Sequence, residues 1–325
     1  MRPMSRSIVR KILVALSITA AAAACGKKEE AGKADPKADP KMDPKGETKP
    51  EPTPEPAKPE PPKYSPDAAK KLAAELATCS SEIGCKPYDA LVGFGAQAAP
   101  ELLAVAVDGN AKLESRRVAA KALGKIKAPD AGPKLVEAAN KLDNSLAQGD
   151  FYEAAGECGG QATFDALIAE LGKAMADTAD RREIPLRHGL AKFPKETFAW
   201  AKAELPKAKK ATTIADLIDE TATDAAAVQE LLPLTQDPMA KNRLAKKAIE
   251  LGATDPKLWD VFLASLASKD QYDRADAGNF LAPIAKQVPA DKKAKFVELL
   301  KKALEGRKDP MLKGGLEKSL KALEG

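Results

Sequence analysis

The sequence predicts an all-α protein whose helices form hairpins stacked as an α-solenoid, and three observations carry that prediction. The first is a recurring turn. Ala90-Leu91-Val92-Gly93-Phe94-Gly95, then the stretch Ala122-Leu123-Gly124-Lys125-Ile126-Lys127-Ala128-Pro129, then Ala155-Gly156-Glu157-Cys158-Gly159-Gly160 and Gly189-Leu190-Ala191-Lys192-Phe193-Pro194 begin 32, 33 and 34 residues apart. A steady period in this range marks an array of helical hairpins. The second is apolar spacing: Leu258, Phe262 and Leu266 fall on one helical face, Phe296, Leu299, Leu300 and Ala303 on another, and no stretch shows sustained strand alternation. The third is composition. Aromatics are 4% of the chain, so the core must be close-packed Ala and Leu.

At the start, Arg2, Arg6, Arg10 and Lys11 precede Ile12 to Ala24, a mostly apolar run of 13 residues. That is short of the ~20 a bilayer span needs, so residues 1–24 read as an export signal outside the fold. The run ends Ala22-Ala23-Ala24-Cys25-Gly26. This is similar to the lipobox of bacterial lipoproteins, with Ala22 where Leu is usual. The resemblance implies cleavage before Cys25, a diacylglycerol on its thiol and a fatty acyl chain such as palmitate on its new amino group. It also implies a lipid anchor in a bacterial membrane; Gly26 points to the outer membrane facing the periplasm, with the inner membrane and the cell surface as alternatives. A plain secretory signal whose first mature residue is Cys is the competing reading.

Residues 25–63 form the lipidated N-terminus and a tether. From Gly26 to Lys63 there are ten prolines, and nine lysines balance nine acidic residues, with the tetrad Ala-Asp-Pro-Lys repeated from Ala34. Such a stretch buries no apolar surface, and proline blocks both helix and sheet ladders. Its reach lies between roughly 35 Å as a coil and 120 Å as polyproline II.

From residue 64 to 325 the chain is expected to be one helical array. Ser65-Pro66 places a capping hydroxyl before Pro at the first helical position, and Asp237-Pro238, Asp255-Pro256 and Asp309-Pro310 repeat the logic with a carboxylate. Cys79 and Cys85 bracket five residues near the first turn. In an exported protein they read as a local disulfide stapling the terminal repeat, with two buried thiols as the alternative.

The segment Ser115-Arg116-Arg117-Val118-Ala119-Ala120-Lys121-Ala122-Leu123-Gly124-Lys125-Ile126 resembles the second helix and turn of a HEAT repeat, of the short kind seen in bilin-lyase-like proteins. The resemblance extends from Ala90 to Phe193 and is degenerate beyond; tetratricopeptide-type arrays remain an alternative. In physical terms, alanines let helices approach, Leu and Val fill the gap, and the turn glycine permits a left-handed exit.

Charge and reactive residues bound the function. Four of the formal +5 charges lie in the export signal, so the mature chain is close to neutral, and a nucleic-acid partner is not expected. Cys158 and the single His188 lie one repeat apart with no third orienting group, and are read as a buried thiol and a helix-end imidazole. There is no phosphate loop, no Gly-x-Ser-x-Gly elbow and no His-Glu-x-x-His. No cofactor, metal or catalytic residue is implied.

The leading reading is a membrane-anchored, non-catalytic scaffold whose partner is a protein or peptide of the bacterial envelope. A HEAT-like lyase or small-ligand binder, and a spacer between membrane and cell wall, are the alternatives. Second helices are expected near 114–123, 149–155, 181–190, 239–251 and 272–281. Their polar residues Arg116, Lys121, Glu153, Arg187, Arg243, Lys247 and Arg274 form the candidate partner-binding face, rich enough in Arg to suit an acidic segment. The competing role for these arginines is to bridge neighbouring repeats.

Overall fold

The structure, a computed structural model, describes residues 63–177 and 179–325. The expected export signal, Cys25 and the expected tether up to residue 62 lie outside the described residues. The described chain is all helical, with no strand among the described residues. Its helices follow one another as hairpins: α1 (Pro66–Glu75) and α2 (Lys86–Gly93), α3 (Ala99–Val107) and α4 (Leu113–Lys125), α5 (Gly132–Asn140) and α6 (Ser145–Cys158), α7 (Gln161–Ala176) and α8 (Glu183–Leu190). They continue as α9 (Pro194–Glu204) and α10 (Ala211–Thr221), α11 (Ala225–Leu231) and α12 (Pro238–Glu250), α13 (Lys257–Leu266) and α14 (Gln271–Leu281), α15 (Ala290–Leu304) and α16 (Pro310–Glu324).

Capping explains several starts. Ser65 Oγ accepts the Ala68 N–H at 3.1 Å, Asp237 accepts those of Met239 and Ala240 at 2.8 and 3.0 Å, and Asp309 that of Met311 at 2.9 Å. Asp255 behaves differently. It accepts the Lys257 N–H, but the chain is still turning at Pro256 and α13 opens only at Lys257. Asn144, Asp224 and Asp270 cap α6, α11 and α14 in the same way without a following proline.

Even-numbered helices pack against even-numbered ones, α4 on α6 on α8 and α10 on α12 on α14 on α16, while α1, α3, α5 and α7 pack in series beside them. The even helices are parallel. Residues 150, 154 and 157 of α6 meet 117 and 124 of α4, and 149 and 152 meet 185 and 189 of α8, in rising order. The same order holds for Asp216 and Asp219 against Arg243 and Lys246 on α12.

Ala and Leu dominate the interior, which divides into two apolar clusters. One runs from Ala69 to Phe193, joined by Leu217, and the other from Ala201 to Leu323. Half-buried Met175 and Trp200 touch both. Trp259 is buried and meets Phe296 edge-on, with ring centroids 6.2 Å apart.

The shared turn glycine has a different job from the one expected. Gly124, Gly156 and Gly189 are helical, and the left-handed residue after α4 is Lys127, with φ 52°. These glycines instead let parallel helices touch. A Cβ on Gly156 would stand 2.3 Å from the Gly189 carbonyl oxygen, and one on Gly189 would stand 2.4 Å from that of Tyr152. Gly278 and Gly315 make the matching approach between α14 and α16. Only at Gly95 and at Gly159-Gly160 does the motif use glycine for a positive φ.

Candidate partner-binding face

The exposed side of the even helices carries charge that alternates in sign from helix to helix. Arg117 and Lys121 project from α4, Asp150 and Glu153 from α6, Arg187 from α8 with Lys192 just beyond it. Asp216, Asp219 and Glu220 follow on α10, Arg243 and Lys246 on α12, and Asp276 on α14. Each helix therefore pairs with its neighbours. Arg117 is ion-paired with Asp150, and Lys121 reaches Glu82 at 3.0 Å and Asp150 at 3.8 Å. Lys192 bridges Glu153 at 2.9 Å and Glu157 at 3.3 Å. Arg187 spans Asp216 at 3.0 Å and Glu220 at 3.3 Å. Arg243 takes Asp216 at 2.5 Å and Asp276 at 3.0 Å, and its guanidinium lies 4.6 Å from the centre of the Phe280 ring.

This geometry removes one residue from the expected face and reassigns others. Arg116 is buried, 8% exposed; its Nε donates to the Ala106 carbonyl and its guanidinium packs near Phe151. It ties α3, α4 and α6 together and cannot meet a partner. Arg274 donates to the carbonyls of Ser268 and Lys269, closing the turn between α13 and α14. Arg187 and Arg243 have the repeat-bridging contacts weighed against partner binding. Lys247 is half-buried and makes no ion pair among the described residues.

Helix α10 was absent from the expected face, yet its three carboxylates link the two halves of the ladder. One more step of the turn period from Gly189 ends at Ala222, just after α10, so the signal was present. It was hidden because the Thr221-Ala222 ending has no Gly or Pro. Burial pushes the Glu220 carboxyl above its ordinary range, against the opposing pull of Arg187 and His188. Burial likewise raises Asp276, although Arg243 and Asn242 both hold it.

A second polar cluster joins α5, α6 and α7 to the segment that leads into α8. Arg182 donates to Asp180, to Glu170 at 2.9 Å and to Asn140 at 2.9 Å, and Tyr152 O–H donates to the same Asn140 oxygen at 2.6 Å. The Arg182 hydrogen bond holds Asp180 below the usual carboxylate range. For Glu170 burial acts upward, but Lys173 and Arg182 outweigh it and the net shift is downward.

Cys79 and Cys85 are joined as a disulfide, with Cα atoms 5.7 Å apart. Cys158 is free and buried, and burial pushes its thiol up to about 12. His188 borders Gly149, nine residues before Cys158 on α6, or about 13 Å along the helix, so the two do not form a pair. Instead His188 lines a cleft of about 480 Å³ between the first turns of α6 and α8, with Leu146, Asp150, Glu153 and Ile184. Among the described residues no group of His, Cys, Asp and Glu is arranged to hold a metal ion, and no single helix is long and apolar enough to cross a membrane.

The fold and face thus define an all-helical protein with parallel, charge-paired helices. No protein-family profile matches the chain, and no curated protein sequence matches it.

Proposed function

We propose that this protein is a lipid-anchored, non-catalytic docking module of the bacterial envelope. Residues 1–24 direct export, Cys25 carries the lipid, residues 25–63 are the tether, and residues 64–325 form a HEAT-like α-solenoid. The observation that carries the solenoid reading is the parallel register of the even helices, each meeting the next through residues about one repeat on, as Arg117 meets Asp150 and Arg243 meets Asp276. An array of this kind presents one continuous surface built from equivalent helix positions.

The partner is a protein or peptide segment that carries both signs of charge. A purely acidic segment would have to displace Asp216, Glu220 and Asp276 from Arg187 and Arg243. A mixed segment can add to the alternation without breaking a pair. Two measurements test the proposal. Metabolic labelling with a fatty-acid probe should modify the wild-type chain and not Cys25→Ser; equal labelling removes the anchor. Cross-linking in the intact envelope should capture a defined protein that Lys125→Glu with Lys247→Glu no longer captures. Lys125 is exposed and Lys247 half-buried, and neither is in an ion pair among the described residues, so the fold should survive. Capture unaffected by these changes would move the partner off this face.

A further inference from the structure

Seven large apolar side chains are exposed among the described residues, and six of them fall on one edge of the array. Because the even helices are parallel and each odd helix returns beside its partner, every connection from an odd to an even helix lies on that edge. Ile83 sits in the first of these connections and Val107 closes α3 at the second. Leu146, Ile184, Tyr272 and Met311 are each the second residue of an even helix. These six are between 43 and 88% exposed. A helical Cα–Cβ bond tilts toward the N-terminus, so the last four lean toward their helix ends, and Leu146 and Ile184 there border the cleft that also holds Asp150, Glu153 and His188.

Two properties decide what this edge fits. Its eight connections carry ten Lys and Arg against nine Asp and Glu, so it is close to neutral and shows little preference for an ion of either sign. Its apolar side chains are also spread singly over many hairpins, with neighbouring helices ~10 Å apart. A protein partner gathers apolar contacts into one dry centre. The interfacial zone of a bilayer takes each apolar side chain independently.

We infer that this edge rests on the surface of a phospholipid bilayer. The inference builds on the lipid-anchor reading. The 38 residues from Cys25 to Pro62 reach at least roughly 35 Å, whereas α1, which leads from the tether to this edge, is about 15 Å long. The anchor therefore keeps the edge at high local concentration over the membrane, where a few shallow insertions suffice.

The test removes the lipid, so that it judges the edge alone. The mature chain with Cys25→Ser is mixed with vesicles of pure phosphatidylcholine and floated on a density gradient. It should co-float, with little dependence on salt. Leu146→Glu, Ile184→Glu, Tyr272→Glu and Met311→Glu together should lower the bound fraction about tenfold. Ala169→Glu, exposed in the middle of α7, should leave it unchanged. If the fourfold variant melts early, Tyr272→Glu with Met311→Glu carries the test, with a threefold loss or more expected, roughly half the effect on a logarithmic scale. Absence of the parent chain from the vesicle fraction at millimolar lipid overturns the inference, as does equal flotation of parent and variant. A dimer of the parent that the variant dissolves would assign the edge to a second copy and also overturn it. None of these outcomes touches the acylation of Cys25, which the labelling experiment judges separately.

Discussion

Alanine in place of glycine should have opposite effects at two helical positions of this protein. In Gly156→Ala the new Cβ would lie 2.3 Å from the Gly189 carbonyl oxygen and 2.9 Å from Lys192 Cγ. The lysine can swing aside, but the carbonyl is helix backbone and cannot. The gap is roughly 1 Å short of contact, so α6 and α8 must separate along their whole interface. Overpacking of this sort costs about 1–3 kcal/mol, more where backbone must shift, and better helix propensity returns up to about 1 kcal/mol. A net loss of about 2 kcal/mol lowers the melting temperature by roughly 4–8 °C in a domain of this size. Gly172→Ala on α7 meets nothing within 4 Å, so only the propensity gain remains, about 0.5–1 kcal/mol and a rise of roughly 2 °C. Circular dichroism melts at 222 nm and urea titrations of both variants decide the matter. If Gly156→Ala melts with wild type, or Gly172→Ala falls as far, the glycines are not there for helix contact and the packing argument fails.

Four further outcomes follow from the polar contacts and cysteines. Asp276→Ala should destabilise by about 2–4 kcal/mol, because Arg243 and Asn242 lose a largely buried partner, and a double-mutant cycle with Arg243→Ala should show coupling above 1 kcal/mol; additivity would refute it. Asp180 and Glu170 are held below their unfolded values, so their contribution is full above the ordinary carboxylate range and fades as pH falls through their folded values. Arg182→Ala should therefore narrow its stability gap to wild type between pH 5 and pH 3 in urea titrations, and a gap independent of pH would count against the cluster. Glu220 and Asp276 are raised, so their terms run the other way and do not drive acid unfolding. Reducing the Cys79–Cys85 bridge should cost about 2–3 kcal/mol, with hydrogen exchange increasing first in α1 and α2; a uniform increase along the chain would be the contrary result. Native Cys158 should resist a thiol reagent at pH 8 for as long as the fold persists, and rapid labelling without unfolding would contradict its burial.

The alternating charge explains how neighbouring helices hold their register. A slide of one turn between α10 and α12 would take Asp216 and Asp219 out of the contacts they make with Arg243 and Lys246. Polar contacts are also concentrated where the apolar core is interrupted. Between α8 and α10, Lys210 and Thr213 bind Glu183, and Arg187 binds Asp216 and Glu220. Individually these partly exposed pairs contribute little; as a set they specify alignment.

By itself the sequence determined the helical class, several of the helix starts and the apolar faces. Those depend on local chemistry: caps at Ser65, Asp237 and Asp309 act within one turn, and Leu258, Phe262 and Leu266 share a face through helical periodicity alone. The period of the turn motif also located the ends of α2, α4, α6 and α8. Only the tertiary structure decided which residues meet between repeats. Gly124, Gly156 and Gly189 follow a cap-like pattern in sequence, but their role is set by a neighbouring helix some 33 residues away. Arg116, Arg117, Arg243 and Arg274 look equivalent along the chain, yet one is buried against Phe151, two pair across helices and one closes a turn. The reason is that an arginine side chain reaches several ångströms from its helix, and its partner is whatever the fold brings within that reach.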